Sequence, residues 1–316
     1  MLEVVRPGVM LTVQDRGRTG LRHAGVSSAG PMDAAAFALA NALVANDPGA
    51  AALEFAGIGG LFRAHAACRI AVTGGTPEMS IDGLRIGPDA AHRLAPGQVL
   101  TIGAMGGSVW GYLAVSGGID CPPTLGSSAT HLRSGLGGLD GGTVPAGAML
   151  PIGPFDPRVP CLEPYPVAAP PWPVKDIRVV LGPQQDAFPP ETWALLLSQP
   201  FTVTPARDRM AMTLDGPPLR ARSHDIVSDG TVAGSIQVPG SGRPLVLMAE
   251  SQTTGGYPKI ATVIGADLGR LAQVVTGGTV RFRAIDRDAA ERVWIAHAQA
   301  LRARLHPLRV RIARRD

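Results

Sequence analysis

Apolar positions fall mostly in short runs of alternating pattern, and most runs end at glycine or proline. The stretch PLVLMAE (244–250) reads as a buried strand, and it empties into the polar segment SQTTGGYPKI (251–260). The same grammar recurs in YLAVSGGID (112–120), APGQVLTIG (95–103), PAGAMLPIG (145–153) and TGGTVRFRA (276–284). Runs of this length bounded by Gly and Pro predict short strands joined by tight turns. Helical periodicity is confined to three places. Residues 32–46 carry apolar side chains at 36, 39, 40, 43 and 44, with Asp33 placed to cap the first turn. Residues 188–198 begin with two prolines, which suit a first helical turn. Residues 286–305 have acidic residues at the start and Arg at the end, as the helix dipole favours.

The organisation suggests two β lobes. Nine prolines lie between 151 and 173, a density that neither a helix interior nor a central strand tolerates. An extended linker over 154–175 is therefore expected between a lobe at 1–153 and one at 176–285, followed by a helix and basic tail at 286–316. LTVQDRGRTGLRHAG (11–25) and FTVTPARDRMAMTLDG (201–216) echo each other, each with an Arg seven residues before a Gly: Arg18 before Gly25, and Arg209 before Gly216.

Composition sharpens this picture. A 45% hydrophobic content supports well-buried cores, while 40 Gly and 29 Pro with few aromatics favour many turns over long helices. The net charge of +4 comes from the last sixteen residues, which hold six Arg and one Asp. A solvated terminal helix explains them without nucleic acid, since no aromatic interleaving accompanies the charge. No apolar run approaches a membrane span and no secretory pattern opens the chain, so a cytoplasmic protein without membrane or nucleic-acid partners is expected. Three widely spaced cysteines (68, 121, 161) fit reduced thiols. The seven histidines show no paired ligand spacing, and no metal is expected.

Four loops carry polar residues that a strand-and-turn scaffold does not need. TVQDRGRTGLRHAGVSSAGPMD holds Gln14, Asp15, Arg18 and Asp33. YLAVSGGIDCPPTLGSSATHLRSGLGG follows a strand with Gly, Ser and Thr. VSDGTVAGSIQVPGSGRP holds Ser228, Asp229 and Gln237, and the fourth is QTTGGYPK. Exposed amides and hydroxyls in such loops suit carboxylates, phosphates or oxyanions. No phosphate-binding Gly-x4-Gly-Lys-Ser/Thr pattern and no Gly-x-Gly-x-x-Gly between strand and helix is present.

Taken in order and spacing, RPGVMLTVQDRGRTGLRHAGVSSAGPMD, ALANALVAN, ALE, YLAVSGGID, TLGSSAT, SGLGG, RM, SIQVPGSGRPLVLM and QTTGGYPKIATVIGADLGRLAQ resemble the allophanate hydrolase subunit 2 family, also called the biotin-dependent carboxyltransferase family. The resemblance spans about residues 1–285 and is strongest to the C subunits of three-subunit 5-oxoprolinases. It implies a mainly β fold of two cyclophilin-like β-barrel lobes with a few short helices and a C-terminal helix. It implies one component, inactive alone, of an ATP-hydrolysing amidohydrolase that opens 5-oxo-L-proline to L-glutamate. The implied partners are a sister chain of the allophanate hydrolase subunit 1 type, which is the 5-oxoprolinase B subunit, and the 5-oxoprolinase A subunit. ATP is the implied cofactor of the complex. Biotin is not expected, because no Lys lies in a Met-Lys-Met context. Other members serve as carboxyltransferase subunits in urea carboxylation, or as antagonists of a histidine-kinase inhibitor.

On the matching motifs, Lys259, Asp15 and Arg18 are the expected catalytic residues. Asp33, Asn41, Arg209, Gln237, Gln252, Thr253, Thr254, Gly255, Gly256 and Tyr257 are the expected substrate-binding residues. This chain departs from the family pattern at Ser128, where many members have Arg, at Ala211 in place of Gly, and at Glu250 in place of the commoner Asp.

Overall fold

The computed structural model describes residues 1–155 and 176–313, with side chains through residue 306. The expected linker therefore lies, from residue 156 on, outside the described residues. The chain divides into two compact units. The first holds Met1–Arg18, the stretch beginning at Ala29, and the helix residues from Ala300. The second holds Thr19–Ser28 together with the later chain to Gln299. The ten residues 19–28, expected in the first lobe, thus group with the second.

The first unit contains β1 (Leu2–Gln14), α1 (Ala34–Leu43), β2 (Ala52–Ala64), β3 (Cys68–Thr73), β4 (Met79–Ile81), β5 (Leu84–Ile86), β6 (Ala91–Leu94), β7 (Val99–Ala104), β8 (Trp110–Val115) and β9 (Met149–Leu150). Strand order β5-β4-β7-β2-β8-β3-β6 is open, with β1 joining β2 and β9, so this unit is a half-barrel. Three register shifts in β1, around Val4/Arg6, Pro7/Val9 and Val9/Thr12, mark where the long β1–β2 ribbon bends. Inward residues such as Val4, Val13, Leu53, Phe55, Phe62, Ile70, Val72 and Leu113 are fully buried. Asp33 caps α1 as expected, its Oδ1 accepting from the Ala35 and Ala36 amides. The helix packs against the sheet through Phe37, whose ring meets Tyr112 edge-on at 6.0 Å.

The second unit contains β10 (Asp176–Leu181), α2 (Pro190–Ser198), β11 (Phe201–Arg207), β12 (Ala211–Asp215), β13 (Asp229–Gly230), β14 (Ser235–Gln237), β15 (Leu245–Leu247), β16 (Thr254–Gly255), β17 (Lys259–Val263), α3 (Gly265–Ala272), β18 (Thr279–Ala284) and α4 (Arg287–Ala313). Strands β10-β17-β14-β15-β12-β11-β18 close into a barrel, and β13 pairs with β16 as a separate two-stranded ribbon. Only the β10–β18 ladder is parallel. The mainly β expectation holds, with one closed barrel and one half-barrel.

Helix α3 is absent from the periodicity reading because Gly265 and Gly269 lower helix propensity by about 1 kcal/mol each. Tertiary contacts override that cost. Asp267 is fully buried, and its carboxylate receives the Arg178 amide and guanidinium at 2.9 and 2.7 Å and Arg270 at 2.7 Å. Burial pushes this carboxyl up, but the bonds from Arg178 and Arg270 outweigh it and hold it below the usual carboxylate range. A depressed folded value means the contribution to stability is present above the unfolded value of ~3.9 and is lost as pH falls through the folded one. Thermal melts from neutral to acid pH should therefore show a drop below pH ~4 that is shallower in Asp267→Asn. Equal slopes in both proteins would refute the anchoring role.

Candidate functional site

The polar loops of the second unit converge on Lys259. The sequence pattern after β15 predicts that this lysine is presented from a Gly-opened loop. Instead Lys259 opens β17, opposite Gln237 of β14, and is 1% exposed. The correction has a local cause: Pro258 hands its carbonyl to the Val238 amide, so the barrel ladder begins immediately after the Tyr257–Pro258 turn. The Lys259 Nζ donates to Asp229 Oδ2 at 2.7 Å, while the Asp229 side chain is half exposed on the β13–β16 ribbon. The Lys259 bond, then the Gly230 amide and Gln184, hold the Asp229 carboxyl below its usual range. Gln184 ties both partners, accepting from the Lys259 amide at 3.0 Å and donating to Asp229 Oδ2 at 3.0 Å.

Several buried polar atoms of the same segments lack partners among the described residues: both amide atoms of Gln237, the Ser251 hydroxyl and Oε1 of Gln252. Gln237 and Ser251 are fully buried. Directly opposed residues of an antiparallel ladder share a face, so Gln237 and Lys259 project together. The expected binding residues Gln252 to Tyr257 form the ribbon strand and its turns. Thr253 accepts from the Thr231 amide, Thr254 and Gly255 pair with Gly230 and Asp229, Gly256 accepts from the Ile226 amide, and the Tyr257 ring stands at the surface. Gly255 packs against the Gln237 side chain, since a Cβ there would sit 2.5 Å from the Gln237 amide nitrogen and would require that side chain to move.

Arg22, not singled out from the sequence, clamps this ribbon. Its Nη2 donates to the carbonyls of Thr231 at 2.7 Å and Gln252 at 3.1 Å, and burial lowers its pKa. Asp229, Gln184 and Ser251 complete the set that motif reading under-weighted. A single signal was available for Asp229, an acidic residue in a Gly-bounded loop. Arg22 gave none, because its partners lie more than two hundred residues away in sequence.

In the first unit, Asp15 and Arg18 form a separate network that braces a loop. Asp15 accepts from the Gly17 amide at 2.8 Å, the Ser127 hydroxyl at 2.5 Å and the Ser128 amide at 2.7 Å. Arg18 is 2% exposed and donates to the carbonyls of Thr124, Ala129 and Ser127. Gly137 packs so closely against this guanidinium that a Cβ would lie 2.5 Å from Nη2. Both expected catalytic groups thus hold backbone in place. Ser128, at the position where many relatives carry Arg, donates to the Cys121 carbonyl.

Asp33 and Asn41 are also committed structurally. Asp33 caps α1, and Asn41 is fully buried, donating to the Ala50 carbonyl and accepting from Asn46. Arg209, expected to bind substrate, is 1% exposed and pairs with Glu250 at 2.5 Å. It orders the chain just before the QTTGGYPK segment, since the Glu250 amide also donates to the Arg209 carbonyl. Burial raises the Cys68 thiol to about 11, which leaves it protonated near neutrality and a poor nucleophile.

Residues 24–284 match the family model described as carboxyltransferase domain, subdomain A and B. The chain is 37% identical to the C subunit of 5-oxoprolinase from Escherichia coli, over 89% of this chain and 90% of that one. It is 34% identical to the Haemophilus influenzae counterpart, over 93% and 94%. Among solved structures, the Kluyveromyces lactis urea amidolyase superposes with a TM-score of 0.88 at 26% identity. That match covers 96% of this chain and spans a fifth, 20%, of the larger enzyme. The structure of TTHA0988 superposes at 0.81 with 36% identity, and this chain spans 55% of it.

Proposed function

The chain belongs to the carboxyltransferase domain, subdomain A and B family, and from that premise we propose that it is the C subunit of a cytoplasmic, ATP-dependent 5-oxoprolinase opening 5-oxo-L-proline to L-glutamate. The observation that carries this reading is the buried Lys259 ammonium sharing a face with the unpartnered Gln237 carboxamide. A cation within a water-poor wall stabilises a carboxylate, or the oxyanion formed when a lactam carbonyl is attacked, far better than a solvated one does. The near full-length relatives, both named as the C component of 5-oxoprolinase, support the same substrate. No described helix is long and apolar enough to cross a membrane.

The partners in this proposal are the 5-oxoprolinase B subunit, of the allophanate hydrolase subunit 1 type, and the 5-oxoprolinase A subunit. ATP is the energy source of the assembled enzyme and is assigned to a partner. The helix N-termini of this chain do not fit its phosphates. Asp33 caps α1, and Glu191, Asp267 and Asp288 occupy the first turns of α2, α3 and α4, so carboxylates already stand where an anion would bind. The purified chain alone should therefore be silent. Co-expression with the two partner subunits should give ATP-dependent glutamate release from 5-oxoproline, and omission of this chain should abolish it. Robust ATP-dependent turnover by the isolated chain would reject the proposal. The similarity to urea amidolyase favours a second reading, a carboxyltransferase role toward urea, and urea turnover dependent on biotin in the same assay would support it.

A further inference from the structure

Helix α4 carries a face that nothing among the described residues covers. No residue of it from Arg287 to Arg304 is buried, although most helices owe their stability to a packed face. On its inner side Trp294 rests against Gly265 at the start of α3, where a Cβ would lie 3.1 Å from the indole ring. The matched family domain ends at residue 284, so this helix lies outside it. On the outer side Asp288, Glu291, Ile295, Gln299 and Arg302 are all exposed. Their spacing of three, four, four and three residues puts them in one stripe, within about 80° of arc and ~21 Å long. The stripe is symmetric in position about Ile295, which is 55% exposed, and opposite in charge at its two ends. Asp288 and Arg302 have no ion-pair partner among the described residues, and Glu291 uses only Oε1, accepting from Arg287 at 3.3 Å.

We infer that this stripe is a self-association surface, on which a second copy of the chain lays its own α4 antiparallel. With the two-fold axis at Ile295, the isoleucines of the two copies meet, Glu291 faces Gln299 of the second copy and Asp288 faces its Arg302. Each polar pairing is made twice, because a two-fold interface repeats every contact. A parallel arrangement would set Asp288 on Asp288 and Arg302 on Arg302, and like charges face to face oppose it. Arg292, at the margin of the stripe, stands across from Ala298 and keeps its guanidinium in water. The surface is one helix wide, so the dimer is a weak, micromolar one and not an obligate one. It is independent of the proposed lactam-opening function.

Sedimentation equilibrium of the purified full chain, over a micromolar to submillimolar concentration series, tests the pairing. A reversible monomer–dimer equilibrium is expected. Ile295→Asp brings two carboxylates together on the axis and should weaken the dimer roughly tenfold or more. Its Tm should stay that of the parent, because the isoleucine is already exposed. Asp288→Arg and Arg302→Asp should each weaken the dimer, and the two substitutions combined should restore it, since the charges then exchange places across the axis. A monomer at every concentration overturns the inference. So does a dimer insensitive to Ile295→Asp, or a charge exchange that fails to restore association. A chain that is monomeric alone, and whose Ile295→Asp variant no longer co-purifies with the proposed B subunit partner, would assign the stripe to that partner and equally refute self-association.

Discussion

On the proposed lactam-opening function, Lys259→Met should lower kcat/KM of the assembled enzyme for 5-oxoproline by about a hundredfold or more, equivalent to ~2.7 kcal/mol of lost transition-state stabilisation. Met is the informative replacement because Lys259 is buried, and an Ala would add a cavity to the loss of charge. The folding cost is small. Asp229, the partner left behind, is half exposed and is rehydrated when the ammonium is removed, so the lost pair is worth no more than about 1 kcal/mol. Complex assembly and Tm should be close to those of the parent. Activity within about twofold of the parent in a normally assembled variant, only ~0.4 kcal/mol, would make Lys259 a structural cation and remove it from the site.

The opposite signature is expected at Arg209. Its guanidinium and the Glu250 carboxylate are 1% and 3% exposed and 2.5 Å apart, so neither charge can turn to water when the other is deleted. Arg209→Leu leaves a buried carboxylate without its cation and should destabilise the chain by about 3–5 kcal/mol. In a unit of this size that is a fall in Tm of roughly 10–20 °C. The double variant Arg209→Leu, Glu250→Leu should recover most of the loss, because removing both charges together also removes the desolvation cost. A double variant as unstable as the single one would show that Arg209 acts through other contacts. The contrast separates two arginine- and lysine-based ion pairs that look alike in a motif: one is closed on both sides, the other has a partner open to solvent.

Much of the architecture was legible because it is local. Gly- and Pro-bounded apolar runs located the strands, and Asp33 before an Ala-rich segment located the first helix with its cap. The hairpin of β11 and β12 occupies FTVTPARDRMAMTLDG, the stretch that stood out for its likeness to residues 11–25. What escaped depended on distant pairing. Whether a sheet closes is decided by its edge strands, and only the second unit has the β10–β18 contact that completes a ring. Helix α3 was hidden by its two glycines and is held by Asp267, whose partner Arg178 lies 89 residues earlier.

The candidate site divides the same way. Gln237, Lys259 and the QTTGGYPK segment stood out as polar residues that a barrel does not need, and they do come together. Asp15, Arg18, Asn41 and Arg209 stood out equally, yet the structure uses their side chains to hold backbone carbonyls, loops or one another. Sequence shows that such a residue is chemically capable. Burial and hydrogen-bond partners show whether that capacity is already taken, and these come from contacts across the fold. Arg22 is the extreme case: an arginine early in the chain whose two acceptors, the Thr231 and Gln252 carbonyls, flank the β13–β16 ribbon more than two hundred residues later.

The most direct test is a substrate comparison in one preparation: this chain co-expressed with the proposed partners, the 5-oxoprolinase A and B subunits, supplied with ATP, assayed for glutamate from 5-oxoproline and, separately, for biotin-dependent consumption of urea. The account predicts glutamate release that requires this chain, with no turnover of urea. Urea consumption without glutamate release would contradict it.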